Sequence, residues 1–112
     1  KMKAILLTII LLSIFSFAIS DQGPSPMIID VRTPAEYNTG HLDKANHIEW
    51  QDIGSQISAL TTDKDKTIYV YCQSGNRSGK AKTILDQLGY SNVINAGGVE
   101  AAQAFINAHE EM

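Results

Sequence analysis

From residue 27 onward the chain alternates short runs of β-branched and aromatic residues with stretches of helical periodicity, and this alternation constrains its fold most strongly. Short runs of this kind are typical of buried strands. Four predicted strands span Met27–Val31, Ala45–Ile48, Thr67–Tyr71 and Asn92–Asn95. Because helical segments and short connections separate the strands, they are expected to be parallel. The sequence therefore predicts an α/β fold, with a central, mostly parallel sheet of four to five strands and helices on both faces.

The helical segments carry local start and stop signals. Thr33, Pro34 and Glu36 form a capping-box start for a short helix that ends at Gly40. The other predicted helices are Asp52–Leu60, Ser78–Leu88 and Val99–Ala108, and the apolar faces of the first two include Ile53, Ile57, Leu60, Ala81, Ile84, Leu85 and Leu88. A turn is predicted at Gly97 and Gly98, before the last helix.

The N-terminal segment has a different character from the rest of the chain. Lys1 and Lys3 precede an apolar run over residues 4–19, and the segment ends in small residues at Ala18 and Ser20. A basic start, a short apolar stretch and small residues at the exit are typical of a secretory signal peptide. The segment therefore predicts export of the protein.

These observations divide the chain into three parts. We expect residues 1–20 to be a signal peptide cleaved before Asp21, residues 21–26 to be a linker, and residues 27–112 to form the domain. The mature protein would then be periplasmic or secreted, with no stable membrane partner. The alternative is an uncleaved leader that anchors the protein in the inner membrane through residues 4–19, although this run is short for a spanning helix.

Composition excludes several classes of protein. With 44% hydrophobic and 19% charged residues, the 112-residue chain resembles ordinary globular proteins and not disordered chains or coiled coils. A net charge of -3 gives no electrostatic attraction for nucleic acid. The single cysteine cannot form an internal disulfide, and the three histidines share no metal-binding spacing. We therefore expect no metal site and no nucleic-acid partner.

The best predicted strand is followed directly by Cys72 and then by a loop and a helix; the loop residues are Gln73, Ser74, Gly75, Asn76, Arg77 and Ser78. The positive N-terminal end of that helix is expected to point at the sulfur. Gly75 permits a left-handed backbone that lets N–H groups converge, and Arg77 adds a permanent cation. Together these features predict a lowered pKa for Cys72 and a thiolate nucleophile in an anion cradle. The alternative is that Cys72 is simply a small buried hydrophobic residue.

Several motifs in one order resemble those of the rhodanese family. They are Ile29-Asp30-Val31-Arg32, Pro34-x-Glu36-Tyr37, Gly40-His41-Leu42 with Ala45-Asn46, Cys72-x-x-Gly75-x-Arg77-Ser78, and Asn95-Ala96-Gly97-Gly98. The resemblance runs from about residue 28 to residue 98. Within the family, the chain is similar to the exported single-domain rhodaneses of the phage-shock E type.

The resemblance implies a sulfurtransferase that works through a cysteine persulfide. Cys72 would take the outer sulfur of thiosulfate or a similar donor, and residues 73–78 would hold it until cyanide or a thiol acceptor removes it. Sulfur itself carries this chemistry, so the resemblance implies no cofactor. Phosphatases and arsenate reductases of the same fold place five residues between cysteine and arginine. This chain has four between Cys72 and Arg77, which favours a persulfide over a larger oxyanion.

Other motif residues are expected to support the structure of the site. This group comprises Asp30, Arg32, Glu36, His41, Gly97 and Gly98. Arg32 and Glu36 are close enough in sequence to predict an ion pair between them. His41 is interpreted as a structural turn histidine, since a thiolate that is already ionised has little need of a general base.

Some positions depart from the family pattern and leave the acceptor open. Lys44 stands where glycine is usual. Glu49-Trp50 follow Ile48, where the pattern often has proline. The tryptophan expected after Gly98 is missing. These departures affect the rim of the pocket more than the nucleophile. A second hypothesis is a non-catalytic rhodanese-fold module that binds an unknown acceptor protein or carries sulfur for it.

Overall fold

The computed structural model describes residues 25–110. The predicted signal peptide, its cleavage site and most of the predicted linker lie outside these residues. Residues 25 and 26, the end of that linker, are exposed and belong to no helix or strand. Between residues 25 and 110, no helix combines the length and the apolar character needed to cross a membrane.

The described chain forms one parallel sheet of four strands in the order β2-β1-β3-β4. The strands are β1 (Met27–Asp30), β2 (Asn46–His47), β3 (Ile68–Tyr71) and β4 (Val93–Gly97). β1 pairs with β2 and β3, and β3 pairs with β4. All four side chains of the central strand β3 are buried, as expected for a strand that is covered on both faces. The predicted α/β fold with a parallel sheet is confirmed.

Three α-helices connect the strands, and a fourth follows β4: they are α1 (Pro34–Asn38), α2 (Ile53–Leu60), α3 (Asn76–Gln87) and α4 (Val99–Glu110). A 3-10 turn over Trp50–Asp52 leads into α2. The predicted capping box of α1 is present, because Thr33 Oγ1 accepts from Glu36 N at 3.2 Å and Glu36 Oε1 accepts from Thr33 N at 2.9 Å. This local bonding holds a helix of only five residues at the edge of the sheet.

Helices cover both faces of the sheet, which separates two apolar clusters. On one face α2 and α3 pack against the strands, and this cluster includes Ile29, Ile53, Ile57, Ile68, Val70, Ala81 and Leu85. On the other face α4 packs against β1, β3 and β4, and this cluster includes Ile28, Tyr69, Tyr71, Ala96, Ala102 and Ile106. The alternation of side chains along β3 places Val70 in the first cluster and Tyr71 in the second.

Some predicted boundaries and apolar positions were wrong. α3 begins at Asn76, two residues before the predicted start, because Gly75 takes the N-cap in a left-handed conformation with φ +99° and needs no side-chain cap. Leu60 and Leu88 are 36% and 42% exposed, because they lie at the C-terminal ends of α2 and α3, past the buried turns. Gly97 belongs to β4, and α4 continues beyond the predicted end to Glu110.

Lys44 occupies the position where the family usually has glycine, and its backbone shows why glycine is usual there. Its φ is +68°, and among residues 25–110 it is the one non-glycine residue with a positive φ. A lysine in this region is sterically strained, since its Cβ approaches the following carbonyl oxygen. The exposed turn between α1 and β2 accepts this strain at a distance from the cysteine loop.

Candidate active site

Cys72 lies directly after β3, at the carboxyl edge of the sheet. Its N–H donates to Gly97 O at 3.0 Å, so the end of β4 fixes the backbone at the start of the loop. The side chain is completely buried and joins the cluster under α2 and α3. Ligands of parallel α/β sheets bind at this edge, which is where the sequence predicts the site.

Hydrogen-bond donors of the loop converge on the Cys72 sulfur. Gly75 N lies 3.0 Å from Sγ, Ser78 N lies 3.4 Å from it, and Ser78 Oγ lies at 3.4 Å. The left-handed backbone of Gly75 turns its N–H inward and starts α3 in the same step. The buried sulfur therefore faces polar hydrogens on the loop side and aliphatic groups on the sheet side.

Burial and hydrogen bonding act on the sulfur in opposite directions. Desolvation raises the pKa of the Cys72 thiol, while hydrogen bonds from the Ser78 hydroxyl and from the N–H groups of Ser78, Ser74 and Gly75 lower it. The hydrogen bonds together outweigh burial, and the pKa of Cys72 lies below its ordinary value. Cys72 is thus a buried residue whose hydrogen bonds lower the pKa of its thiol, so it shows features of both alternatives drawn from the sequence.

Backbone packing of two glycines gives the loop its shape. A Cβ on Gly98 would lie 2.5 Å from the carbonyl oxygen of Gln73, too close for any side chain. A Cβ on Gly75 would lie 3.4 Å from Gly97 Cα. The turn from β4 into α4 therefore supports the cysteine loop from beneath, and the side chains of Gln73, Ser74 and Asn76 are exposed on its outer side.

Arg77 does not approach the sulfur through a hydrogen bond. Its Nη1 and Nη2 donate to the Glu36 carboxylate at 2.8 and 3.0 Å, and both side chains remain about one third exposed. The hydrogen bond from Arg77, followed by that from Thr33 N–H, lowers the pKa of Glu36 to about 2. Glu36 in turn raises the pKa of Arg77. The pair thereby links the first turn of α3 to α1.

The predicted pair between Arg32 and Glu36 was wrong, because Arg32 is held by Asp30. Arg32 Nε and Nη2 donate to the Asp30 carboxylate at 3.0 and 2.7 Å, and both residues are buried. Arg32 also donates to Gly40 O at 2.7 Å and to Gln73 Oε1 at 3.3 Å. This network joins the end of β1 to the start of the cysteine loop.

An open cleft of about 500 Å³ adjoins the loop. Its lining includes Arg32, Gln73, Gly98 and Glu100.

His41 does not line this cleft and contacts Tyr37. Its Nδ1 lies 2.9 Å from Tyr37 O, and the centres of the two stacked rings are 3.6 Å apart. No group of side chains suited to hold a metal ion occurs within residues 25–110.

Sequence reasoning missed Asn95 as a site residue. Its carboxamide contacts Ser78, Gly75 and Gly97, three residues around the sulfur. The motif that contains Asn95 was noted as a turn before the last helix, but nothing in its local sequence shows that the side chain reaches across to the loop. Asn95 lies in β4 beside the carboxyl end of β3, so the strand order would have placed it near the loop.

The chain matches the rhodanese-like domain family over residues 18–104. It is 42% identical over 72 residues to the thiosulfate sulfurtransferase PspE of Escherichia coli (strain K12), covering 64% of this chain and 69% of that protein. It is 36% identical to a sulfurtransferase of Allochromatium vinosum over 64% of this chain, and the match spans 65% of that relative's length.

Solved structures show the same architecture. A rhodanese with anions from E. coli superposes with a TM-score of 0.67 at 39% identity, covering 69% of this chain and 91% of that chain. A rhodanese-like domain from Anabaena gives a TM-score of 0.65 at 29% identity, covering 72% and 93% of the two chains. By its motifs, its parallel sheet and these matches, the chain belongs to the rhodanese-like domain family.

Proposed function

We propose that this protein is a thiosulfate sulfurtransferase and that Cys72 carries the transferred sulfur as a persulfide. The observation that carries the proposal is the convergence of the Gly75 and Ser78 donors on a buried sulfur with a lowered pKa. The relative from E. coli is named for this activity, and the relative from A. vinosum is named as a sulfurtransferase. A pocket that stabilises a thiolate supplies the nucleophile of the first step and the leaving group of the second.

In the first step the Cys72 thiolate attacks the outer sulfur of thiosulfate. A bond forms between Sγ and that sulfur, the sulfur–sulfur bond of thiosulfate breaks, and its electron pair leaves on sulfite. Three negative charges enter the step and three leave it, so no proton has to move. The negative charge of the product lies on the outer sulfur of the persulfide, and no general base is required.

In the second step a nucleophile removes the outer sulfur. Cyanide, or a thiolate acceptor, attacks that atom, the bond to Sγ breaks, and the electron pair returns to Cys72 as a thiolate. With cyanide the product is thiocyanate. The same donors that stabilise the starting thiolate also stabilise it as a leaving group, because they are already oriented before the step begins.

Residues 73–78 form the proposed binding surface for the donor and for the persulfide. The side chains of Gln73, Ser74 and Asn76 are exposed, and Arg77 is paired with Glu36. An arginine can share its planar donors between a carboxylate and a bound anion. The E. coli rhodanese solved with anions supports an anion site in this family.

The experiment follows the sulfur directly. The mature protein is mixed with thiosulfate and its intact mass is measured, and thiocyanate formation is then followed with cyanide present. The wild type is expected to gain the mass of one sulfur atom and to produce thiocyanate, while Cys72→Ser does neither. A wild type that gains no mass and transfers no sulfur from any donor would contradict the proposal and favour a binding module.

We also propose that the protein acts outside the cytoplasm, in the periplasm or after secretion. The support is the sequence of residues 1–20, with its lysines, apolar run and small residues. Expression of the full chain followed by cell fractionation and N-terminal sequencing tests this. Mature protein starting at Asp21 in the periplasmic fraction is the expected result, and full-length protein in the membrane fraction would favour the anchored alternative.

A further inference from the structure

The Ser78 hydroxyl has two acceptors within reach but only one hydrogen to donate. Ser78 Oγ lies 2.7 Å from Asn95 Oδ1 and 3.4 Å from Cys72 Sγ. A hydroxyl group carries a single hydrogen, so it can serve only one of these two atoms at a time. The amide oxygen is the nearer acceptor. Because Ser78 is completely buried, water does not compete for the hydroxyl.

Backbone groups fix which atom of the Asn95 carboxamide faces Ser78. Gly97 N–H donates to Oδ1 at 3.0 Å, and Nδ2 donates to Gly75 O at 3.0 Å. A flipped amide would place a donor against an N–H group and an oxygen against a carbonyl, so only one orientation satisfies both contacts. The oxygen that meets Ser78 is therefore a permanent acceptor.

We propose that Asn95 is a positioning residue that keeps the Ser78 hydrogen away from the Cys72 sulfur until negative charge appears there. With a neutral thiol, the Sγ–H group donates to Ser78 Oγ and the Ser78 hydroxyl donates to Asn95. When the sulfur becomes a thiolate, the hydroxyl turns to donate to Sγ, and Asn95 Oδ1 retains the Gly97 N–H. Hydrogen bonds to a charged sulfur are the stronger ones, which drives the rotation.

This inference rests on the proposed function for its meaning in the reaction. The charge on Sγ disappears when the persulfide forms and returns when the acceptor takes the outer sulfur. The Ser78 hydroxyl would turn toward Asn95 after the first step and back toward Sγ during the second. Asn95 thereby gives the hydroxyl a satisfied position while the inner sulfur is neutral, instead of leaving a buried donor unpaired.

The charged groups around the loop do not interfere with this movement of the Ser78 hydrogen between Asn95 and the sulfur, the Ser78 relay. Arg77 is paired with Glu36, and Arg32 is paired with Asp30. Substituting Asn95 with an uncharged residue leaves both pairs and the formal charge unchanged. A change in the ionisation of Cys72 in such a variant therefore reports on the hydrogen bonds.

The test measures the rate of Cys72 alkylation by iodoacetamide against pH in the purified protein, which needs no sulfur transfer. Leucine is the apolar counterpart of asparagine in shape, so Asn95→Leu removes the competing acceptor while filling its space. We expect its alkylation midpoint to fall by about half a pH unit, because the hydroxyl is then free to donate to the sulfur. Ser78→Ala is expected to raise the midpoint by a similar amount.

A double variant separates the relay from general loosening of the loop. In the Ser78→Ala background, Asn95→Leu is expected to leave the midpoint unchanged, since no hydroxyl remains to redirect. Asn92→Leu is the matched control. Asn92 directly precedes β4, and its side chain donates to Thr67 Oγ1 at 2.7 Å and not to the cysteine loop. A rise in the midpoint for Asn95→Leu, or an equal change with and without Ser78, would overturn the proposal.

A second variant is expected to move the midpoint in the opposite direction. Asn95→Asp keeps the acceptor oxygen and holds the Ser78 hydrogen more strongly, so the midpoint is expected to rise, and to rise less in the Ser78→Ala background. An equal rise in both backgrounds would count against the relay. Failure of sulfur transfer with these shifts intact would contradict only the proposed function, because alkylation reports the thiol alone.

Discussion

Two loops leave the same edge of the sheet and stabilise a buried charge in different ways. The loop after β1 holds the Asp30 carboxylate with the Arg32 side chain, through hydrogen bonds as short as 2.7 Å. The loop after β3 holds the Cys72 sulfur with N–H groups of Gly75 and Ser78. A paired arginine neutralises its partner permanently, whereas backbone dipoles favour an anion and stay available to whatever replaces it.

The difference separates a structural pair from a reactive group. The charge of Asp30 is matched by Arg32, a neighbour two residues away, and the Asp30 carboxylate is buried. The Cys72 sulfur has no cation bonded to it, and in the proposed reaction its charge passes to a second sulfur atom. Removing the arginine of each loop tests whether this division is correct.

The largest expected effect is on stability, from Arg32→Ala. It leaves the Asp30 carboxylate buried without its cation, which typically costs about 3–5 kcal/mol. Arg77→Ala breaks a partly exposed pair and is expected to cost at most about 1 kcal/mol. Urea denaturation of both variants measures the difference. Equal losses would show that the two arginines do not divide into a buried structural and an exposed functional one.

Gly98→Ala tests the shape of the reactive loop. The added Cβ would lie 2.5 Å from Gln73 O, a backbone atom that cannot move without shifting the loop. We expect a loss of about 1–3 kcal/mol of stability by overpacking, and a fall of about tenfold or more in thiocyanate formation as the donors move off the sulfur. Both are measured on the purified variant.

Gly54→Ala is the control for this substitution. Its Cβ would meet side-chain atoms and no backbone, Ile84 at 3.1 Å and Leu88 at 4.0 Å, in a helix where alanine is favoured. Its sulfur transfer is expected to equal that of the wild type. Wild-type activity in Gly98→Ala would mean that the loop does not depend on the turn beneath it.

The smallest expected effect concerns stability at acidic pH and the pair between Glu36 and Arg77. Since the pKa of Glu36 is lowered to about 2, its stabilisation is complete above its ordinary pKa near 4.5 and is lost as pH falls through about 2. Glu36→Gln is expected to be less stable than wild type by at most about 1 kcal/mol at pH 6, because the pair is partly exposed. That difference should vanish near pH 2.

Denaturant curves at several pH values measure this dependence. Asp86→Asn, which removes an exposed pair with Lys82 on α3, controls for the loss of one surface carboxylate. A difference between wild type and Glu36→Gln that persisted unchanged at pH 2 would assign the effect to the capping box of α1 instead of to the ion pair.

The order of strands and helices could be predicted because its signals are local. The capping box at Thr33 and Glu36 spans four residues. The apolar run of β3 can be recognised as a buried strand from its own residues alone. The start of α3 was wrong because its N-cap is Gly75, whose role depends on a left-handed backbone instead of a capping side chain. Residue type alone does not show that conformation.

The partners of charged groups could not be predicted from spacing. Glu36 lies four residues from Arg32, yet it bonds to Arg77, which is 41 residues away. Asn95 reaches Ser78 across 17 residues. Both contacts exist only because parallel strands bring their carboxyl ends to one edge of the sheet, so they follow from the completed topology and not from any short motif.

The complete burial of the Cys72 side chain also sets a size filter. A sulfur with no surface of its own meets only reagents small enough to slip between the loop's hydrogens, so bulky disulfides and large oxidants are held at a distance. In the proposed persulfide the outer sulfur would extend beyond Sγ. A large acceptor would then contact the outer sulfur and not Sγ itself.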